Sequence, residues 1–255
     1  MFETCNMLWI GPRLGRVERA CIRSVLRQGH PLTLWCYARP ADVPEGVELA
    51  DARTILPEHS IVRHYSGSVS LFSNWFRYRL QELGKGIWLD TDIYLFKPIP
   101  YAEYLLTGYE PGRINSAPLR IPFDSPLLPP LLALFEQQRV PPWLPLRSRA
   151  AAQWRRLRTG KADLTLMPWG VAGPLAVTAL AKRYGLMGLA SPSETFHPYA
   201  WTEADWIRDP ARSLDERATD ATIGIHLWNE RIKGFKEEPA RPGSFLARLQ
   251  EEGAA

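Results

Sequence analysis

Apolar positions along the chain fall into short continuous runs separated by longer amphipathic stretches, the pattern of buried strands alternating with helices. Met7-Leu8-Trp9-Ile10, closed by Gly11-Pro12, reads as a central strand. Residues 16–28 then carry Val17, Ala20, Cys21, Ser24, Val25 and Gln28 on one helical face, with Gly29 as the stop. Residues 32–37 follow as a second apolar strand, and this β-α-β order calls for a parallel sheet with a right-handed crossover. Residues 47–50 predict a short third strand, and the stretch from there to Gly67 has no periodicity.

The clearest helix spans Val69 to Leu83. Val69, Phe72, Phe76, Leu80 and Leu83 form one apolar stripe, Gly84 ends it, and Ser73, Asn74 and Arg77 lie together along one flank. Polar side chains beside a core stripe can reach a site at the sheet edge; the alternative for Arg77 is a surface ion pair. Directly after the helix, Gly86-Ile87-Trp88-Leu89 reads as a buried strand that ends in Asp90-Thr91-Asp92. Residues two apart on an extended chain point to the same side, so two carboxylates would meet at a strand's carboxyl end, where open α/β sheets bind ligands. Such a pair of hard oxygen ligands suits Mg²⁺ or Mn²⁺ holding a diphosphate.

Later segments continue the alternation. Residues 93–96 continue as an apolar segment to Lys97-Pro98, residues 113–121 predict a strand, and Ser125-Pro126 starts a helix to about Arg139. Residues 141–145 form a Pro-rich linker before an Arg-rich exposed helix at 148–158. A helix from Pro174 through Tyr184 and a late strand, Ile223 to Trp228, follow. Residues 1–240 read as one domain and 241–255 as a loosely held polar tail.

Composition narrows the class. In 255 residues, 45% apolar and 23% charged, no apolar run approaches the roughly 20 needed to span a bilayer. Met1 to Asn6 lack the pattern of a secretory leader, and the three cysteines, Cys5, Cys21 and Cys36, have no metal-site spacing, which predicts a reduced cytoplasmic protein. The net charge of +4 gathers at Arg147 to Arg158 and Arg231 to Lys236. Those patches could meet phosphates, an anionic membrane face or nucleic acid, or be solvated helix faces.

Trp9-Ile10-Gly11, Phe72 to Tyr78, Gly86 to Asp92, Ala172-Gly173-Pro174 and Ile225-His226-Leu227-Trp228-Asn229 together resemble the DXD-containing sugar-binding glycosyltransferases. That group includes α-1,4-galactosyl and N-acetylglucosaminyl transferases, outer-chain mannosyltransferases of yeast, bacterial capsule and lipopolysaccharide enzymes and, more distantly, clostridial glucosylating toxins. The resemblance implies a GT-A, Rossmann-like α/β fold with a central, mostly parallel sheet flanked by helices. It also implies retaining transfer of a hexose from a nucleotide-sugar, a UDP-sugar by preference, to a saccharide or glycolipid acceptor, with Mn²⁺ or Mg²⁺ and no nucleic acid. Carried across, Trp9 would stack on the nucleobase or else be core, and Ser73 and Asn74 would lie along the donor. Arg77 would hold diphosphate and sugar, Asp92 and Asp90 would serve the metal and ribose, and His226 would be a late metal contact. Many members have aspartate where this chain has Asn74, which leaves the donor sugar open.

Two other classes compete. Aspartate-nucleophile phosphohydrolases also place Asp-x-Asp after an apolar strand, but near the start of the chain and with a small residue where Tyr94 stands. A non-catalytic carbohydrate- or nucleic-acid-binding module would use the tryptophans and arginines, and leaves the paired acids unexplained.

Overall fold

The computed structural model describes residues 2–137 and 139–254. The strands are β1 (Cys5–Trp9), β2 (Leu32–Cys36), β3 (Glu48–Asp51), β4 (Ile87–Leu89), β5 (Ile93–Leu95), β6 (Leu105–Glu110), β7 (Arg113–Arg120), β8 (Ala190–Ser191) and β9 (Gly224–His226). The helices are α1 (Arg16–Arg27), α2 (Ser70–Glu82), α3 (Leu128–Glu136), α4 (Leu146–Thr159), α5 (Pro174–Arg183), α6 (Asn229–Ile232) and α7 (Phe245–Ala254). Seven strands make a mostly parallel central sheet in the order β3-β2-β1-β4-β7-β6-β8. The β1, β2, β3 and β4 neighbours are parallel, whereas β7 runs antiparallel to both β4 and β6. This α/β arrangement is compatible with a Rossmann-like fold.

Alternation along the strands splits the core into two layers. Cys5 and Met7, Leu32 and Leu34, and Ile87 and Leu89 pack with Ile22 and Val25 of α1. Trp35 and Trp88 point the other way, into a layer with Phe72 and Phe76 of α2 and residues of α3 and α5. Asn6 is the polar exception in the central strand, and it is fully used. Its amide donates to Lys85 O at 2.7 Å and its oxygen accepts from the Trp35 indole at 2.9 Å. Gln81 ties α2 to the sheet in the same way, donating to Gly86 O at 2.9 Å and accepting from the Ile121 amide at 2.8 Å. These bonds fix the height of α2 over β4, and hence of every polar residue on its flank.

Two elements are added and two expectations change. The apolar segment after Asp92 forms β5, which pairs antiparallel with β9 as a ribbon separate from the main sheet, Ile93 opposite His226. The strand β6, absent from the sequence reading, holds the β7 hairpin through its register rather than through apolar alternation, since Thr107 is fully buried and Gly108 lies in it. Leu83, placed on the apolar stripe, is 48% exposed because α2 stops one residue earlier. The tail is not loose: Phe245, Leu246 and Leu249 of α7 are buried, and Gly253 sits so close to α1 that a Cβ there would lie 1.9 Å from Arg16 O. The sequence hides this short stripe among charged residues just after Pro242 and Gly243.

Candidate metal centre

The four parallel strands run outward from β1 to β3, and the chain then returns to the other side of β1 as β4. The point between β1 and β4 is where the order reverses, and the carboxyl edge there is the crevice of an open α/β sheet. Trp9 ends β1, and Asp90 follows β4.

Asp90 and Asp92 do meet, but not on an extended strand. The Ile93 amide donates to Asp90 O at 3.0 Å, so the chain makes a tight turn and folds the second carboxylate back toward the first. The ribbon adds a third group: one oxygen from each aspartate and one ring nitrogen of His226 lie within 4.8 Å of one another. Thus the expected trio Asp90, Asp92 and His226 converges, although its members are 136 residues apart in the chain.

Each carboxylate is held by one oxygen. Asp90 Oδ1 accepts from Arg77 at 2.8 Å and from the Trp88 indole at 2.8 Å. Asp92 Oδ2 accepts from the Asn229 amide at 2.7 Å and faces His226 Nε2 at 3.2 Å. Among the described residues, no donor occupies the second oxygen of either one. This leaves one oxygen per aspartate, together with imidazole, for a cation, a donor set that fits Mn²⁺ and, through the carboxylates, Mg²⁺. Asp90 is the open member, its side chain 28% exposed against 8% for Asp92.

The two acids titrate in opposite directions. Burial raises Asp90, against the lowering effect of Arg77, and the charge of Asp92 raises it further. Burial also raises Asp92, but His226, the Asn229 amide and Lys236 outweigh it and bring the carboxyl to about 2. Asp92 therefore stays ionised while Asp90 resists a second negative charge beside it.

Arg77 is not a surface residue. It is 3% exposed, donates to Ser116 O, Ser73 O and Ser73 Oγ as well as to Asp90, and lies 4.9 Å above the Trp88 ring. Asn115 shapes the acceptor side, its oxygen taking the Ser116 and Ala117 amides at 2.7 and 2.8 Å. Ser73 is thus a direct support of Arg77. Asn74, 7% exposed, packs instead against the turn before α5, where a Cβ on Gly173 would come within 2.9 Å of its amide nitrogen. Trp9 is half-buried against the α1-side core, and its indole nitrogen is buried with no partner.

Other contributors were not visible in the sequence. Trp228 adopts a left-handed conformation, φ 60°, which swings the Asn229 amide onto Asp92. Lys236, placed above in a basic cluster open to anions or solvent, is instead enclosed, bonding Asn229 Oδ1 at 2.6 Å and pairing with buried Glu18. His197 is 4% exposed, donates Nδ1–H to Gly108 O at 2.9 Å, and stands 5.4 Å from the His226 ring. Its Nε2 and His226 Nδ1 are both buried, with no partner among the described residues. Burial and the neighbouring His226 hold the His197 pKa well below its ordinary value.

No protein-family model matches the chain, and no curated protein is similar to it. The geometry therefore carries the functional reading.

Cavities among the described residues also lie outside the trio. One of about 300 Å³ opens at the carboxyl ends of β2 and β3, lined by Tyr37, Arg39, Asp51 and Arg53 among others. It is on the same edge as Trp9, which pairs with Cys36, itself paired with Asp51. Another of about 430 Å³ lies at the far end of the β5–β9 ribbon, around Lys97 and Thr222.

Proposed function

We propose that the chain is a metal-dependent glycosyltransferase of the GT-A type. It moves a hexose from a nucleotide-sugar, with a UDP-sugar favoured, to a saccharide or glycolipid acceptor with retention. The observation that carries this reading is the convergence of Asp90, Asp92 and His226 at the switch point of the sheet, each aspartate with one oxygen left over. A divalent cation bound there would neutralise the diphosphate and stabilise the charge it gains as its bond to the anomeric carbon breaks.

The protein's own part is to hold these groups in place. Asn229 and His226 keep Asp92 ionised and aimed, while Arg77 and Trp88 fix Asp90 by a single oxygen. Arg77 in turn is clamped by Ser73 and Ser116, which hold its charge against Asp90. The cavity beside β2 and β3 has the room and the mixed polar lining for a nucleoside, with Trp9 between it and the carboxylates. The phosphohydrolase alternative is less well supported: it asks for a small residue where the fully buried Tyr94 stands.

The test is calorimetric titration of Mn²⁺ and uridine diphosphate, followed by hydrolysis assays over a panel of nucleotide-sugars. Nucleotide binding that requires Mn²⁺ and disappears in Asp92→Asn is the expected result. At a metal concentration one hundred times Kd, about 2.7 kcal/mol of added stability should accompany binding. Nucleotide binding or turnover that is indifferent to EDTA and to Asp92→Asn overturns the reading. Preference for a guanosine diphosphate sugar would overturn the uridine assignment alone.

A further inference from the structure

An amphipathic helix on a protein surface normally turns its apolar stripe inward; α4 does the reverse. Within Leu146–Thr159 only Ala152 is buried, while Leu146, Trp154 and Leu157 are 74, 63 and 83% exposed. At 3.6 residues per turn, Leu146, Ala150, Trp154 and Leu157 share the outer face, roughly opposite Ala152. Arg147 and Arg158 flank that stripe on one side, Arg149 and Arg156 on the other. The helix contains no acidic residue, and among the described residues none of its five arginines is ion-paired with a carboxylate. Among the described residues, the Arg149 side chain is held by a bond to Pro142 O at 3.2 Å alone.

We propose that α4 is a membrane-docking helix that lies flat on an anionic bilayer. Leu146, Trp154 and Leu157 enter the headgroup boundary, and the arginines on both flanks meet lipid phosphates. No helix among the described residues is long and apolar enough to cross a membrane, so contact is by lying on the surface. Charge selects this occupant over the others. A second copy paired symmetrically through the same face would set arginine against arginine, and a nucleic acid would leave the leucines and tryptophan against phosphates. The proposal goes beyond the transfer reading and does not rest on it.

Co-sedimentation of the full chain with vesicles tests it, using phosphatidylglycerol mixed with phosphatidylcholine against phosphatidylcholine alone, at low and high salt. Binding only to the anionic vesicles is expected, reduced but not abolished by salt. Arg147→Gln with Arg158→Gln, and separately Trp154→Ala with Leu157→Ala, should each weaken partitioning by about tenfold or more. These side chains are exposed, and unchanged unfolding midpoints will show that the variants are folded. Absence of binding to anionic vesicles at low salt overturns the proposal. So does full binding by the Trp154→Ala, Leu157→Ala variant, which would mean adsorption by charge without insertion. A dimer in solution that Leu157→Glu dissociates, without vesicle binding by the wild type, would assign the face to a second copy.

Discussion

Replacing Arg77 by Met removes the cation that, among the described residues, pairs with Asp90 while keeping an apolar stem over Trp88. Arg77 is 3% exposed and makes four polar contacts, so the change breaks a buried pair rather than a surface one. Removing one partner of a buried pair costs about 3–5 kcal/mol, and the orphaned Ser116 carbonyl accounts for about 1–3 of that. The sign of the pH dependence follows from Asp90, whose folded pKa already stands above its ordinary value. An acid with a raised pKa contributes fully below its unfolded pKa, near 4, and loses that contribution as pH rises through the folded one. Without Arg77 the folded value rises further, so the deficit is smaller at about pH 4 than at neutral pH. Urea unfolding of wild type, Arg77→Met and Arg77→Met/Asp90→Asn at both pH values measures this. The double variant should recover about 2 kcal/mol at neutral pH, because Asn keeps the acceptor for Trp88 without the charge. A deficit under about 1 kcal/mol, or a double variant no more stable than the single, refutes a buried structural pair.

Asp92 moves in the other direction. With a folded pKa of about 2, its contribution is present above its unfolded pKa and is lost as pH falls through 2. Asp92→Asn should therefore cost about 2 kcal/mol at pH 7 and progressively less as pH falls toward about 1, and a pH-independent cost in chemical denaturation would count against the His226 contact. Gly253→Ala should destabilise by about 1–3 kcal/mol, because Ala's helix preference is overcome by the clash with Arg16 O. A gain in melting temperature would show α7 to be undocked. His197→Phe should weaken Mn²⁺ binding about 10- to 100-fold in electron paramagnetic titrations, with His197→Gln retaining more. The reason is that a His226 bound to metal through Nε2 carries Nδ1–H, and the unpartnered His197 Nε2 is the acceptor at hand. Equal affinity in folded His197→Phe would refute that link.

Local rules decided much of this protein in the sequence itself. The glycine-bounded apolar runs of β1, β2 and β4 and the stripe of α2 depend on neighbours a few residues away, and they placed Asp90 at a strand end and Ser73, Asn74 and Arg77 on one flank. Residue chemistry pointed to a cation, and a resemblance to DXD enzymes pointed to His226. Only the tertiary structure decided what happens across long separations. Whether Arg77 faced water or Asp90 depended on the β7 carbonyl at Ser116, and whether Lys236 was solvated depended on Glu18, 218 residues away. The β5–β9 ribbon, the left-handed turn at Trp228 and the docking of α7 on α1 rest on pairings that no local window contains. The same holds for α4: its arginines were plain in the sequence, but which face is covered is set by what packs beneath Ala152, and that leaves Leu146, Trp154 and Leu157 outward. Side-chain type and spacing fix what an element can bury; which neighbour arrives to bury it is a property of the whole fold.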